Sequence, residues 1–392
     1  MVVKINWCVI FLLGVFCTVL SEKHVVCYYA SWATYRPGRG EFNVDDIDPH
    51  LCSHLVYAFF GLYENGTVAV LDPWLDLEDN WGHGNIRRFN ELKNVNPSLK
   101  TLAAVGGYGQ GSEIFSTVAA DSSFRQIFAV DARDFCLRHG FDGMDIGWEF
   151  PGQRGGDPEI DKVNFVLLLA DMKRVFAASG LLLTGALAAA QNLAEISYDI
   201  PAVSQHLDYI NLMAYDFNGG WNTFTGHNSP LYTGPADASD FQRLLNVHHS
   251  VSYWLQQGAP ASKINLGIPF YGRSFTLENK LNYGLRADAR GPGIPGIYTQ
   301  EAGSLAYYEI CALYSSANWV RHWDNDQKIP YGVIDDQWIG YDDIETIGYK
   351  CNYIHEHNLA GGMVWSIEKD DFHGYCGPKF AMLTTLRACL GS

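Results

Sequence analysis

The stretch FDGMDIGWEF, residues 141–150, has the spacing of a β-strand that carries acids on one face. Because successive side chains of a strand point to opposite faces, Asp145, Gly147 and Glu149 share one face and the apolar residues between them share the other. Carboxyl groups placed together can serve a reaction as acid, base or charge stabiliser. An acid that faces an open cavity without a partner is costly unless it has a function, so we expect Glu149 to be functional.

The two other acids of this stretch allow different interpretations. Asp145 is compatible both with a buried hydrogen-bonding role and with a part in catalysis. Asp142 falls off the shared face and is typical of a structural ion pair. The glycine between Asp145 and Glu149 raises the question of whether the acids still act together.

Polar and aromatic residues also follow other short apolar runs. They are Tyr215 and Asp216 in MAYDF, Tyr271 and Arg273 in FYGRSF, and Trp365 in MVWSI. Stacking rings and carboxylates without a cluster of cations suit a neutral ligand such as a sugar, which offers flat C–H faces as well as hydroxyl groups. From the residues alone, only Trp365, Tyr215 and Tyr271 are predicted to contact a ligand, because isolated aromatics usually pack in a core.

The elements that would position these residues are eight short apolar runs. They are HVVCYYASW, CSHLVYAFFGL, KTLAAVGGY, FDGMDIGWEF, LLLTGALAAA, LDYINLMAYDF, KINLGIPFYGRSF and LAGGMVWSIEKDD. Buried strands that alternate with helices predict a parallel sheet, and eight such units predict an α/β fold of the closed (β/α)8 barrel type. The carboxyl ends of the strands in such a barrel meet at one opening, which would bring the polar residues together.

Between these runs lie segments with helical spacing. In DSSFRQIFAVDARDFCLRHG, the apolar residues Phe124, Ile127, Phe128 and Phe135 are predicted to form one stripe. A long interval rich in Gly, Pro and Tyr follows the seventh run. A loop of that length inside a compact domain should have structure of its own, so we place a small α+β insertion at residues 276–338.

The composition is that of a globular protein, with 47% hydrophobic and 14% aromatic residues. The net charge of −16 opposes binding to polyanions, and no run of Lys and Arg forms a basic patch, so we expect no nucleic acid partner. GGYGQG lacks the spacing of a dinucleotide fingerprint. His355 and His357 fall on diverging faces of a predicted helix, and we expect no metal and no other cofactor.

The first residues carry one lysine and an apolar run that ends at Leu20, a pattern typical of a secretory signal peptide. The run is short for a bilayer span, and no other stretch approaches membrane length. We predict a signal peptide at residues 1–21, a secreted protein with one large domain at 22–392, and no membrane association. A single N-terminal anchor is the alternative. The sequon NGT predicts glycosylation at Asn65.

Taken together, the chain resembles glycoside hydrolase family 18, the chitinases and chitinase-like lectins. The stretches that carry the resemblance are CYYASWATYRPGRGEF, HLVYAFFG, KTLAAVGGY, FDGMDIGWEFPG, LDYINLMAYDFNGGW, TGHNSPLY, IPFYGRSF, AYYEIC and GGMVWSIEKDDF. The resemblance implies a (β/α)8 barrel with a small insertion after the seventh strand, in agreement with the pattern of apolar runs. It also implies chitin or chito-oligosaccharides as the partner, and we expect a monomer.

The resemblance further implies a mechanism in which the substrate's own acetamido oxygen is the nucleophile and forms an oxazolinium ion. Glu149 would be the general acid and base, Asp145 would assist it, and Tyr215 and Asp216 would hold the acetamido group. Trp365 would floor the central subsite. The other implied sugar contacts are Tyr28, Phe59, Gly107, Met213 and Tyr271 in the pocket, and Trp32, Tyr108 and Trp221 at outer subsites. Arg273, at the end of the seventh run, is also predicted to contact the substrate.

Two positions depart from the family pattern. Tyr108 stands where a tryptophan is usual, and a tyrosine ring still stacks. Gly147 stands where the family has an aspartate that orients the acetamido N–H and stabilises the developing charge. Loss of one such preorganised group typically costs about 10²- to 10³-fold in rate. Without that carboxylate we also expect Glu149 to be less protonated near neutrality than in a Gly147→Asp variant.

Three hypotheses follow for the function. The first is a secreted protein that binds β-1,4-linked N-acetylglucosamine chains and whose hydrolysis is weakened or lost. The second is a working endochitinase, favoured by the presence of Glu149, Tyr215, Asp216 and Trp365. The third is a signalling role in which the groove senses sugars, and no residue supports it directly.

Removal of the leader leaves seven cysteines, so at least one is free or pairs with another molecule. The resemblance implies the pairs Cys27–Cys52 and Cys311–Cys376. Cys351 and Cys389 fall on helices that would be neighbours, which leaves a third bridge open. Cys136 would then be a buried free thiol.

Overall fold

The structure is a computed structural model that describes residues 23–391. The signal peptide predicted at residues 1–21 lies outside the described residues. Within residues 23–391, no helix combines the length and the apolar character that a bilayer span requires.

The described chain forms strands β1 to β15 in sequence order. Their bounds are β1 His24–Ala30, β2 His54–Leu62, β3 Val68–Ala69, β4 Lys100–Gly106, β5 Gly143–Gly147, β6 Leu182–Ala188, β7 Tyr209–Met213, β8 Ile264–Pro269, β9 Tyr271–Leu277, β10 Ala289–Pro292, β11 Ser304–Ala306, β12 Val320–Asp324, β13 Ile329–Ile334, β14 Gln337–Gly340 and β15 Gly361–Trp365.

Helices alternate with the strands. Their bounds are α1 Pro73–Asp76, α2 Asn85–Val95, α3 Glu113–Ala120, α4 Ser122–His139, α5 Asp161–Ala177, α6 Gln191–Ser197, α7 Ile200–His206, α8 Asp240–Leu244, α9 Val247–Gln256, α10 Tyr307–Leu313, α11 Ile344–Glu356 and α12 Ala381–Leu390.

Eight parallel strands form a closed barrel. The order is β1, β15, β8, β7, β6, β5, β4 and β2, and the pairing of β1 with β2 closes the ring. These strands are buried along nearly their whole length because the barrel interior lies on one side and helices lie on the other. The predicted (β/α)8 barrel is confirmed, and its strands coincide with the eight apolar runs.

The seventh run contains two strands instead of one. β8 belongs to the barrel, but β9 starts after Phe270 and pairs with β14 in a second, antiparallel sheet. The Phe270 N–H donates to the Trp365 carbonyl, and its own carbonyl accepts from Tyr307, so the chain leaves the barrel at this residue. Tyr271 and Arg273 were expected at the end of a barrel strand. They lie instead in the first three residues of β9, in the second sheet.

The second sheet has the order β10, β9, β14, β13 and β12, with β11 also paired to β9, and α10 follows β11. Together, this sheet and α10 form the small α+β insertion that the sequence predicts after the seventh strand. The sheet spans Tyr271–Gly340, so its first strand starts before residue 276 and its last ends after residue 338.

Helix α4 illustrates how the helices cover the barrel. It begins where the Asp121 carboxylate accepts from the backbone N–H groups of the first turn, and it ends at Gly140, whose φ of 81° suits glycine. Phe128 and Phe135 are buried as predicted, but Ile127 is 41% exposed, so its place in the predicted stripe is wrong. Adjacent helical residues point about 100° apart around the helix axis. Because α4 directs Phe128 toward the barrel, Ile127 points toward solvent.

Three disulfides link parts of the described chain. They are Cys27–Cys52, Cys311–Cys376 and Cys351–Cys389, and Cys136 is a buried free thiol. The first joins β1 to the segment before β2, the second ties α10 to the loop after β15, and the third joins α11 to α12. Asn65 lies exposed in the turn between β2 and β3, where its side chain accepts hydrogen bonds from Thr67.

Candidate active site

The barrel strands present their carboxyl ends at one opening, and the predicted site residues gather there. Glu149 lies two residues beyond the end of β5, Asp216 three residues beyond β7, and Trp365 at the end of β15. Cis peptide bonds precede Phe59, Phe150 and Ser366, which also lie at or near strand ends.

Asp145 lies inside the barrel and is completely buried. Its carboxylate accepts hydrogen bonds from the Tyr28 hydroxyl at 2.7 Å, the Thr184 hydroxyl at 2.5 Å and the Asn211 amide at 3.0 Å. Burial raises the pKa of Asp145, and the three donors oppose that shift. Asp145 is thus a hydrogen-bonding centre that joins β1, β5, β6 and β7.

This network continues toward the other end of the barrel. The Asn211 side-chain oxygen accepts from the Asn265 amide at 3.1 Å, and the Asn265 oxygen lies 3.3 Å from Nδ1 of His24. Every link is a neutral group, so the chain of hydrogen bonds fixes the orientation of Asp145 without adding a charge to the barrel interior.

Glu149 is half-buried at the opening, and its carboxylate receives no hydrogen bond from any of the described residues. Burial raises the pKa of Glu149 to about 7, the charge of Asp216 adds to this, and the charge of Arg154 opposes it. Burial is thus the largest cause, even though the neighbouring position 147 carries no carboxylate. Whether a Gly147→Asp variant raises the pKa further stays a prediction.

Gly147 ends β5 on the same face as Asp145 and Glu149. A Cβ at this glycine would lie 3.1 Å from the Gly107 nitrogen and 3.5 Å from the Val105 oxygen. The backbone of Gly147 is not in the left-handed region, so a larger side chain would require only a small shift of its neighbours. The position between the two acids therefore contributes no carboxylate, although the backbone is compatible with one.

Asp216 is fixed by its neighbours at the opening. One carboxylate oxygen, Oδ1, accepts from the Tyr271 hydroxyl at 2.7 Å and from Nε of Arg273 at 2.8 Å, and its backbone N–H donates to Asn228. The adjacent Tyr215 is half-buried, and burial together with the charges of Asp216 and Glu149 raises the pKa of its hydroxyl, which stays protonated.

Aromatic side chains form the floor of the opening around Trp365. The Trp365 ring stacks on Phe59 at 5.5 Å between ring centres and lies 5.6 Å from Tyr28 and 6.2 Å from Trp32. Met213 and Tyr215 pack against the same interior cluster. Gly107 has a φ of 81°, and a Cβ there would lie 2.6 Å from the Phe59 ring, so this position requires glycine.

Two exposed rings at the predicted outer subsites each lie against an arginine. The Arg154 guanidinium lies 3.6 Å from the centre of the Tyr108 ring, and that of Arg273 lies 5.2 Å from the Trp221 ring. Arg154 also donates to the carbonyls of Tyr108 and Glu149, both at 2.9 Å. One face of Tyr108 is therefore covered, which restricts how a sugar can stack on it.

The structure brings the predicted site residues to one opening, and it adds four that the sequence reasoning missed: Thr184, Asn211, Arg154 and Lys369. Thr184 and Asn211 are polar residues within buried strands, a signal that was available in LLLTGALAAA and LDYINLMAYDF. Arg154 and Lys369 lie shortly after Glu149 and Trp365 in sequence, but nothing in their local pattern distinguishes them from surface charges.

The arrangement combines a carboxyl group with a pKa near neutrality, a fixed second carboxylate and an aromatic floor. Such an opening can stack a sugar ring, bind its polar substituents and transfer a proton. It holds one carboxyl group fewer on the β5 face than the resemblance implies.

Comparisons with known proteins give a consistent result. A sequence profile of the glycosyl hydrolases family 18 matches residues 24–370. Chitotriosidase-1 of Mus musculus is 42% identical over 381 residues, which are 94% of this chain and 78% of that protein. The crystal structure of Ostrinia furnacalis Group IV chitinase, in complex with allosamidin, is similar with a TM-score of 0.91 and 43% identity, covering 94% of this chain and 99% of that chain.

A further similar structure is human YKL-39, described as a pseudo-chitinase with retained chitooligosaccharide binding properties. It has a TM-score of 0.86 and 35% identity, covering 94% of this chain and 100% of that chain. The similar proteins thus include both chitinases and a pseudo-chitinase.

Proposed function

The chain belongs to glycosyl hydrolases family 18, and from this premise we propose that it is a secreted protein that binds chito-oligosaccharides and hydrolyses them weakly or not at all. The observation that carries the proposal is the combination of an aromatic floor around Trp365 with a glycine at position 147. The floor supports binding, and the glycine removes a group that the reaction needs. The disulfides support an oxidising, extracellular compartment.

Binding is supported by the geometry of the Trp365 and Asp216 regions. A sugar ring that stacks on Trp365 would lie next to Tyr215 and Asp216, which are the residues proposed to hold its acetamido group. Tyr271 and Arg273 both donate to Oδ1 of Asp216, which leaves its Oδ2 available to a ligand. The carboxylate is thus oriented before a sugar arrives, which lowers the entropy cost of binding.

The weakening of hydrolysis follows from the partners of the remaining acids. Asp145 would have to give up three hydrogen bonds to take over the task of an aspartate at position 147, and each contributes about 0.5–1.5 kcal/mol or more. Asp216 is held by Tyr271 and Arg273. Neither acid is free to replace the missing carboxylate.

A second candidate, slow hydrolysis, is favoured by Glu149. With a pKa of about 7, this group is about half protonated at neutral pH and can act as acid and as base. It would donate its proton to the glycosidic oxygen as the substrate's acetamido oxygen attacks the anomeric carbon. It would then accept a proton from the water that opens the oxazolinium ion, which restores the acid.

The test measures binding and hydrolysis of chitotetraose separately. By calorimetry, we expect the wild type to bind chitotetraose and Trp365→Ala to lose about tenfold or more in affinity, because a buried tryptophan contact often contributes 2 kcal/mol or more. Tyr253→Ala, a half-buried aromatic on α9 outside the barrel, is the matched control and should bind like the wild type.

The hydrolysis arm compares the wild type with Gly147→Asp. We expect the variant to cleave about 10²- to 10³-fold faster, which is the usual effect of one charge-stabilising group. Equal and substantial rates would identify the protein as a working chitinase, and no measurable binding by the wild type would refute the proposal.

A further inference from the structure

Lys369 is a cation at the same opening that the proposed mechanism does not use. It ends the short 3-10 helix Ile367–Lys369, which follows β15. Its ammonium nitrogen lies 4.5 Å from the centre of the Tyr271 ring and 5.8 Å from the centre of the Trp365 ring. The side chain therefore lies between two residues proposed to contact the sugar.

Unlike the other cations of the opening, Lys369 has no polar partner among residues 23–391. Arg273 pairs with Asp216 at 2.8 Å and with Glu301 at 3.6 Å, and Arg154 donates to two carbonyls. The Lys369 ammonium forms neither an ion pair nor a hydrogen bond with a described residue. It is half-buried, and partial desolvation makes an ammonium without an anionic partner less stable.

The two acids adjacent to Lys369 in sequence, Glu368 and Asp370, already have other partners. The Glu368 carboxylate is completely buried and accepts from the Arg36 guanidinium at 3.3 Å, the Ser366 hydroxyl at 2.5 Å and the Ala30 N–H at 3.3 Å. Asp370, which is equally near in sequence, is also completely buried and accepts from the backbone N–H groups of Asp371, Met382 and Leu383. Neither adjacent acid therefore pairs with Lys369.

Two carboxylates lie close enough to influence Lys369, but none of the described residues forms an ion pair with its ammonium. Burial lowers its pKa to about 8, the charges of Arg36 and Arg273 act in the same direction, and Glu368 and Glu301 oppose them. At neutral pH the Lys369 side chain is therefore protonated in most of the molecules. An anion bound beside Lys369 would be stabilised by it, and would raise the pKa again.

The glycine at position 147 also makes the opening less negative. The family pattern would place a further carboxylate on the face of Asp145 and Glu149, and its absence lowers the negative charge that an incoming anion meets. Asp216 is already paired with Arg273. In a chain with a net charge of −16, the opening thus has a positive charge without a partner.

We propose that Lys369 is a specificity residue that binds an acidic substituent, a sulfate ester or a carboxylate, on a sugar held against Trp365. This inference rests on the proposed function, because it concerns which N-acetylglucosamine chains the same groove prefers. The aromatic rings bind the apolar face of the sugar, and the ammonium of Lys369 donates charge-assisted hydrogen bonds to the substituent.

The experiment compares three ligands of equal length by calorimetry at low ionic strength: chitotetraose, chitotetraose sulfated at the 6-hydroxyl groups, and chitotetraose oxidised to carboxylates at the same positions. The wild type should bind at least one acidic ligand about tenfold or more tightly than the neutral one, the usual size of a charge-assisted hydrogen bond. The two acidic ligands distinguish sulfate from carboxylate recognition.

Three variants assign the preference to Lys369. Lys369→Met keeps an unbranched apolar side chain of nearly the same length without the charge. It should abolish the preference while neutral binding changes less than about threefold, because the apolar contacts remain. Lys369→Arg should retain a preference. Lys280→Met removes the same charge from an exposed position and should behave like the wild type.

Three results would overturn the inference. If the wild type binds neutral and acidic ligands equally, or if Lys369→Met keeps the preference, Lys369 only packs on the two rings. In both cases the binding of chitotetraose leaves the proposed function standing. If chitotetraose and the acidic ligands all fail to bind, the proposed function and this inference both fail.

Discussion

The two ends of strand β5 carry acids in opposite electrostatic environments. Asp142, just before the strand, accepts from the Lys93 ammonium at 2.9 Å, the Lys100 ammonium at 3.4 Å and the Thr101 N–H at 2.9 Å. Glu149, just beyond the strand, accepts no hydrogen bond from a described residue. Burial disfavours the charge of both, yet the partners of Asp142 lower its pKa below the usual value, whereas the pKa of Glu149 is raised to about 7.

The difference teaches that partners, and not burial alone, decide what a carboxyl group can do. Asp142 is ionised and compensated, so it can stabilise the amino end of the barrel. Glu149 accepts no hydrogen bond from a described residue, and burial outweighs the charge of Arg154, so it can exchange a proton near neutral pH. Asp145, between them, is more deeply buried than either, and three neutral donors hold it in place.

The largest expected effect is a difference in the rate of hydrolysis between variants of the acids at the two ends of β5. In a Gly147→Asp background, where turnover should be measurable, Glu149→Gln should lower the hydrolysis of chitotetraose about 10²- to 10⁴-fold, because it removes the general acid. Asp142→Asn in the same background is the matched control and should lower it by less than about twofold, because this acid lies at the opposite end of the strand. Initial rates measure both.

Similar losses in the two variants would contradict the comparison, since they would mean that Asp142 supports the site or that Glu149 acts only through the fold. Near-native far-ultraviolet circular dichroism of both variants would exclude simple unfolding as the cause.

An intermediate effect concerns the pH dependence of turnover. The first step needs protonated Glu149, so any activity of the wild type should be present below pH 7 and fall as the pH rises through the pKa of about 7. A carboxylate at position 147 would raise that pKa, and the alkaline limb of Gly147→Asp should lie at higher pH. Rate profiles over the neutral range test this, and superimposable limbs would refute it.

The smallest expected effect is a difference in the free energy of unfolding between variants of the acids at the two ends of β5. Asp142→Asn should lower the free energy of unfolding at pH 7 by about 1–2 kcal/mol, because partly exposed ion pairs and hydrogen bonds to charged groups contribute in this range. The folded pKa of Asp142 lies below the unfolded one, so its contribution is present above about pH 4 and is lost as the pH falls through the folded pKa.

Urea denaturation at pH 7 and at about pH 3 measures this difference, which should shrink at the lower pH. Glu149→Gln is the matched control and should not destabilise the protein, because it removes an acid without partners. Equal destabilisation by the two variants would contradict the assigned roles.

The barrel was predictable because its signal is local. Each buried parallel strand is an apolar run of its own, and eight runs were enough to infer the closed sheet. The same parity argument separated Asp142 from the face of Asp145 and Glu149. Where one run contained two strands, the boundary at Phe270 depends on backbone contacts with Trp365 and Tyr307, which no local pattern reveals.

The position of the site was predictable, but the hydrogen-bond and charge partners of its residues were not. The acids and rings at strand ends were visible, but the partners of Asp145 lie on three other strands, and Tyr28 is 117 positions away from it. The exposure of Ile127 and the unpaired state of Lys369 likewise depend on how distant elements pack. Sequence patterns place residues at an opening, while the charge balance there results from tertiary contacts.

The space at Gly147 has an evolutionary consequence. The three atoms nearest to the position of its missing Cβ belong to the backbone of Gly107 and Val105, and none belongs to a side chain. Glycine and aspartate codons differ at a single base when their third base is the same pyrimidine. A single base change could therefore convert a binding protein into a hydrolase at this position, or the reverse, with only a small local shift of the backbone.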